Sequence, residues 1–191
     1  MTTSRLEAFS DGVMAILITI MVLELKVPHG ANLGALEPLT PVFLAYVLSF
    51  IYIGIYWNNH HHMLQVTERV NGRILWANLH LLFWLSLVPF VTGWMGENHF
   101  APVPTAIYGV VLFSAGIAFN MLASAIIADQ GPGSALEAAV GKNLRGTASA
   151  VLYGLAIPLA FVHIWIADAI YVGVACMWFL PDRRIEAKLT T

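Results

Sequence analysis

Three short polar clusters interrupt an otherwise apolar chain. Asp11 stands inside a hydrophobic run, Asn58-Asn59-His60-His61-His62 closes a second, and Asn78 and His80 sit near the start of a third. A carboxylate, imidazoles and amides in apolar surroundings can bind a metal, relay protons, or hydrogen-bond to one another across helices. Metal binding fits the spacing poorly. Consecutive histidines on a helix point about 100° apart, whereas helical metal pairs use i, i+3 or i, i+4 positions. His29, His99 and His163 are isolated and fall near the opposite face, so the several His boxes of a membrane di-iron centre are missing. Cys176 is the sole cysteine, which excludes a disulfide framework, a Cys-based zinc site and a CxxC redox pair. No metal site is expected. Mutual hydrogen bonding or proton relay remains, and one or two of the three consecutive histidines can equally well be interfacial and solvated.

The elements that carry these clusters are membrane helices. The 191 residues are 59% hydrophobic and 10% charged, with a mean hydropathy of +0.75. Soluble domains carry about 25% charged residues, so neither a soluble enzyme nor a disordered chain fits. A net charge of −2 and a pI near 6.4 leave no electrostatic footprint for nucleic acid. A helix needs roughly 20 apolar residues to cross a bilayer. Six stretches qualify, at about 6–26, 40–62, 74–95, 103–128, 147–166 and 168–180, with Asp168 in a tight turn between the last two. These runs are too long and too uniform for barrel strands, so the fold class is an all-α membrane protein.

Charge placement sets the topology. Six spans put the N-terminus, the 65–73 loop, the 129–146 loop and the C-terminus on one side. That side holds Arg5, Arg69, Arg73, Lys142, Arg145, Arg183, Arg184 and Lys188, and only Lys26 lies opposite. The positive-inside rule then makes both termini cytoplasmic. The first run is read as a span and not a signal peptide, because Asp11 interrupts it and no convincing cleavage site follows. Trp57 and Trp76 near one face, with Trp94 and Trp165 near the other, suit interfacial belts or core packing alike. The loops are short, so residues 1–191 read as a single six-helix domain with no extramembrane catalytic part. An enzyme is not expected.

This topology brings the polar clusters to one depth. Asp11 lies near the cytoplasmic end of helix 1, the Asn-His run closes helix 2 there, and Asn78 and His80 begin helix 3. A network with Asp11 as acceptor and His or Asn groups as donors follows. On helix 1, Ile16, Ile20 and Leu23 form one stripe about 10 Å long, bordered by Thr19. Such a stripe alone is equally a packing face or a lipid face.

The run Arg5-Leu-Glu-Ala-Phe9-Ser10-Asp11 resembles the RxxxFSD signature that opens the first helix of the transmembrane protein 175 family. The continuation to Pro28, the Trp57-Asn-Asn-His60-His61 end of helix 2, and Asn78-Leu-His80 with Pro89-Phe90 are also similar to that family. Helices 4 to 6 match in general character. One such unit per chain resembles the prokaryotic form. The resemblance implies a homotetramer in the prokaryotic plasma membrane, conducting potassium through a central pore lined by helix 1. It implies that Ile16, Ile20 and Leu23 form the constriction and that the Thr19 hydroxyl contributes to ion selection. Arg5, Phe9, Ser10 and Asp11 would form the signature, holding helix 1 through His60 or His61, Asn78 and His80. The implied partners are other copies of the chain and the lipid bilayer, with no cofactor beside the permeant ion. No TVGYG-like segment is present, so selectivity over sodium is expected to be modest. The alternative is a proton-coupled transporter or proton leak using Asp11 and intramembrane histidine. Paired broken helices, which build a midplane substrate site, are not evident.

Overall fold

The computed structural model describes residues 2–131, 133–140 and 144–179, and these residues are all-helical apart from their connections. The helices are α1 (Thr3–Val22), α2 (Thr40–Gln65), α3 (Gly72–Ser86), α4 (Val88–Glu97), α5 (Pro102–Gln130), α6 (Ala135–Val140), α7 (Leu144–Leu159) and α8 (Ile164–Phe179). A 3-10 segment, Leu33–Leu39, leads directly into α2. Among the described residues three helical units are long and apolar enough to cross a membrane: Leu33–Gln65, Gly72–Glu97 and Pro102–Gln130. α7 and α8 are apolar but shorter, and α1 carries Arg5, Glu7 and Asp11.

Local chemistry explains where the helices begin and end. Pro41, Pro89 and Pro102 each occupy the first turn of a helix, where the missing N–H has no partner to lose. Pro89 follows an apolar run that reads as one span, and the axis breaks at Leu87, immediately before the helix that Pro89 opens. The Asn71 side chain caps α3 by accepting from the Ile74 N–H at 3.0 Å. The same Asn71 donates to Asp129 at 2.7 Å, which ties the start of α3 to the end of α5.

Two expectations need correction. The first helix stops at Val22, so residues 23–26 lie beyond it. Asp168 is not in a turn: the α7–α8 connection falls at 160–163, after Pro158, and Asp168 is the fifth residue of α8. Pro158 disrupts the helical ladder within α7, and the turn closes through the His163 N–H to the Leu159 carbonyl. Of the basic residues used for topology, Lys142, Arg183, Arg184 and Lys188 lie outside the described residues.

The core is built around α5, which packs against α3, α4, α7 and α8, while α2 packs against α1, α4 and α8. Lipid tails are as apolar as leucine, so helix association here depends on close packing and hydrogen bonds. Both are present. Gly96 of α4 lies so close to α2 that an added Cβ would sit 2.7 Å from the Val42 Cα. Ser49, Thr92 and Tyr108 join α2, α4 and α5 through buried hydroxyl contacts of 2.7 and 3.0 Å. The Tyr52 hydroxyl donates to the Tyr171 carbonyl at 2.6 Å and locks α2 to α8.

Replacing Gly96 with Val should force the α2 backbone away and lower stability by about 1–3 kcal/mol. Thermal unfolding in detergent reads this directly. Gly173→Ala, where no atom lies within 4 Å of an added Cβ, serves as the control and should show no comparable loss.

Candidate functional site

α1 has two unlike faces. Leu6, Ser10, Met14, Leu17 and Met21 recur every three or four residues and are buried against α2, α3 and α4. The opposite face carries Phe9, Gly12, Ala15, Ile16, Thr19 and Ile20, with Leu23 just past the last turn. All of these are exposed among the described residues. Ile16, Ile20 and Leu23 are 56%, 42% and 76% exposed. Thr19 shares the face and donates its hydroxyl hydrogen back to its own helix, towards the Ile16 carbonyl at 2.9 Å and the Ala15 carbonyl at 3.1 Å. Its oxygen is thereby left as an outward acceptor.

The buried face is anchored by one directed chain of hydrogen bonds. His60 Nε2–H donates to Asn78 Oδ1 at 2.7 Å, and Asn78 Nδ2 donates to Ser10 Oγ at 3.0 Å. Ser10 Oγ–H donates to the Leu6 carbonyl at 2.9 Å. Each of the three side chains is fully buried. The carbonyl can only accept, so every proton in the chain has one place to go, and His60 must carry its hydrogen on Nε2. Its Nδ1 then stays buried without a partner.

A second, more exposed pair of contacts joins α1 to α2. Trp57 Nε1 donates to Asp11 Oδ1 at 3.0 Å, and His61 Nδ1 meets Glu7 Oε1 at 2.7 Å. Gln65 Nε2 reaches the far nitrogen of His61 at 2.8 Å, and the His61 ring stacks on Trp57 with centroids 6.0 Å apart. The acids are four residues apart on α1 and their partners four apart on α2, so the two contacts form successive rungs.

The sequence-derived site therefore divides. Ser10, His60 and Asn78 come together. Asp11 does not accept from His or Asn; the nearer donor is the indole of Trp57, which points at α1 from the same helix. His80 is outside the network, because its Nε2 accepts from Trp84 Nε1 one turn along α3, at 2.9 Å. Arg5 and Phe9 are exposed, and the Arg5 side chain makes no hydrogen bond among the described residues. Glu7 was missed in the sequence, although its position one turn before Asp11 was the available signal. Among the described residues no three His, Cys, Asp or Glu side chains gather to hold a metal ion. At the other end of α1, Lys26 Nζ pairs with Glu97 Oε1 at 2.7 Å in the open, and this bond raises the Lys26 ammonium above its ordinary range.

Comparison with known proteins places these features. Residues 5–89 match the pattern of the family described as endosomal/lysosomal potassium channel TMEM175. A protein of Chryseobacterium sp. (strain P1-3) named a potassium channel is 53% identical over 189 residues, covering 99% of this chain and 98% of its own. A potassium channel of Chamaesiphon minutus is 32% identical over 193 residues, covering 93% and 94%. A Gallus gallus protein named endosomal/lysosomal proton channel TMEM175 is 41% identical over 81 residues, which is 36% of this chain and 16% of that one. The fold matches the crystal structure of a lysosomal potassium-selective channel TMEM175 homolog from Chamaesiphon minutus, with a TM-score of 0.82. That pair is 30% identical, over 93% of this chain and 96% of the other.

Asn78→Leu should orphan the buried Ser10 and His60 groups and cost about 1–3 kcal/mol for each. His80→Phe, which removes only an acceptor beside Trp84, should cost less. Unfolding of the two variants in detergent tests the order; equal losses would show that α1 does not depend on the buried chain.

Proposed function

This chain belongs to the TMEM175 family of potassium channels, and from that premise we propose that it is a homotetrameric potassium channel whose pore is lined by α1. It is an integral membrane protein of an ion-channel family and not an enzyme. In the proposed reading α1, α2, α3 with α4, α5, α7 and α8 make six spans, both termini face the cytoplasm, and the bacterial plasma membrane holds the assembly.

One observation carries the pore assignment. α1 is buried along one face by its own subunit and bare along the other, where Ile16, Thr19, Ile20 and Leu23 succeed one another along the axis. A helix of 20 residues spans about 30 Å, the thickness of a hydrocarbon core. Four such faces turned inward enclose a conduit with aliphatic rings at successive levels.

Conduction through such rings obeys simple rules. Four Ile or Leu side chains supply no ligand to an ion, so a narrow ring closes by dewetting and a wider one passes ions with part of their water. Potassium is larger and holds its water less tightly than sodium, which gives it the lower cost of passage. The Thr19 oxygens, one turn from Ile16 and adjacent to Ile20, add the polar acceptors nearest to the constriction.

A proton-permeable variant of this reading draws support from the vertebrate relatives named proton channels. It shares the same path, so one experiment addresses both. Purified protein in liposomes should pass potassium faster than sodium. Ile20→Asn and Ile16→Asn should wet the constriction, raise flux and erode the preference by several-fold. Unchanged flux and preference in both variants would remove α1 from the pore. A proton gradient imposed without potassium, followed with an internal pH dye, separates proton leak from potassium conduction.

A further inference from the structure

α3 also has two unlike faces. Ile74, Asn78, Leu81, Leu82 and Leu85 are buried, and the helix packs on α5 and α1. Arg73, Trp76, Leu79 and Phe83 lie on the other side, three or four residues apart and exposed. Trp76 is the most open of the apolar three, at 75%.

Depth sorts this stripe by chemistry. The helical unit Gly72–Glu97 has 26 residues, or about 39 Å at 1.5 Å each, against about 30 Å of hydrocarbon. Roughly three residues therefore project at each end. Arg73 falls among the lipid headgroups, Trp76 at the boundary, and Leu79 and Phe83 among the acyl chains. A phospholipid presents the same order in the same direction: phosphate, ester, hydrocarbon. Helical side chains lean towards the N-terminus, which carries the Arg73 guanidinium further into the headgroup layer.

That guanidinium is available. It makes no hydrogen bond or ion pair among the described residues. Of the acids at this end, Asp129 accepts from Asn71 at 2.7 Å and Glu68 is exposed. Arg69, in the connection just before α3, is exposed as well. A planar guanidinium grips two phosphate oxygens through parallel N–H donors. An anionic headgroup such as phosphatidylglycerol offers that phosphate without a cation of its own.

We propose that the start of α3 binds an anionic phospholipid of the adjoining leaflet, with Arg73 on its phosphate and Trp76, Leu79 and Phe83 along its chain. The site lies apart from the pore face and does not rest on the pore assignment. It does sit on a helix that seats α1, since Asn78 on the opposite face of α3 donates to Ser10.

The test places the purified protein in phosphatidylcholine vesicles with a minor share of one lipid brominated near the ester. That lipid is either phosphatidylglycerol or phosphatidylcholine, at equal mole fraction. Bromine quenches an indole in contact with it, and Trp76→Phe isolates the Trp76 contribution among the six tryptophans. One arginine at the surface favours an anionic neighbour about fivefold. Brominated phosphatidylglycerol should therefore quench Trp76 several-fold more steeply than brominated phosphatidylcholine. Arg73→Gln should remove the difference, and Arg73→Lys, which keeps the charge without the paired donors, should retain part of it. Equal quenching by both lipids in the wild type would make Trp76 an ordinary boundary residue and overturn the proposal. Quenching by neither would mean that another copy of the chain covers this face, which overturns it too. A preference that survives Arg73→Gln removes Arg73 from the site, and the proposal fails with it.

Discussion

The hydrogen-bond chain from His60 through Asn78 to Ser10 is the interaction on which the arrangement of α1 depends. A helix in hydrocarbon gains no hydrophobic driving force from apolar contact, so close packing and hydrogen bonds together must seat it. α1 therefore cannot be seated by its Leu and Met side chains alone. The chain supplies what they lack: a contact that is directional, fully buried, and costly to leave unmade. It also joins three helices at one point, since Ser10, His60 and Asn78 come from α1, α2 and α3. The rotation of α1 is set by Ser10 facing inward, and the outward face then follows from helical geometry. Ile16, Thr19, Ile20 and Leu23 lie where they do because Ser10 lies where it does.

This division of labour separates two demands that conflict on a single helix. In the proposed channel one face stays apolar and unbonded, so that water can leave or enter between its side chains. The other must be held firmly enough that the first keeps its place. Thr19 shows the compromise at closest range. Its hydrogen is returned to the helix backbone, so the residue adds an oxygen to the bare face without adding a donor that would seek a neighbour. The rest of the subunit has no such conflict. Between α2, α4 and α5 the Ser49, Thr92 and Tyr108 hydroxyls satisfy one another, and Gly96 brings α4 against the α2 backbone.

Much of this was readable from the residues in order. Apolar run lengths revealed long helices because bilayer thickness imposes a length on any span, and the polar residues within them stood out for the same reason. That the Asn-His end of α2 and Asn78 would meet followed from depth, whereas Ser10 came in only through the family resemblance. The partner of Asp11 did not follow, because depth ranks neighbours only by level: Trp57 and the histidines share a level, and rotation of α2 selects the indole. His80 was misplaced for a related reason. Its position suited the network, but Trp84 lies one turn away on the same helix, and a local partner needs no tertiary alignment. The turn expected at Asp168 fell instead at 160–163. An acid is the obvious breaker in an apolar run, yet Pro158 acts through the backbone and sets the turn, and Asp168 stands beyond the first turn of α8.

The restraints on α1 are unequal along its length, and that inequality bears on how such a helix can move. Its N-terminal half holds Glu7, Ser10 and Asp11, each bonded to α2 or α3. Beyond Asp11 the contacts to other helices are apolar: Met14, Leu17 and Met21 are buried, and Val13 and Ile18 pack beside them. The next polar tie is Lys26 with Glu97, an exposed pair that water and salt screen. The four candidate constriction residues all lie in the loosely held half. A helix fixed at one end and lightly tethered at the other responds to force by tilting about its fixed end, and displacement grows with distance from it. Ile16, about six residues from Ser10, would move less than Leu23, about thirteen residues away, in the ratio of roughly 9 to 20 Å of lever arm. The largest displacement in any such motion falls at Leu23 and the smallest at Ile16, the residue nearest the anchor.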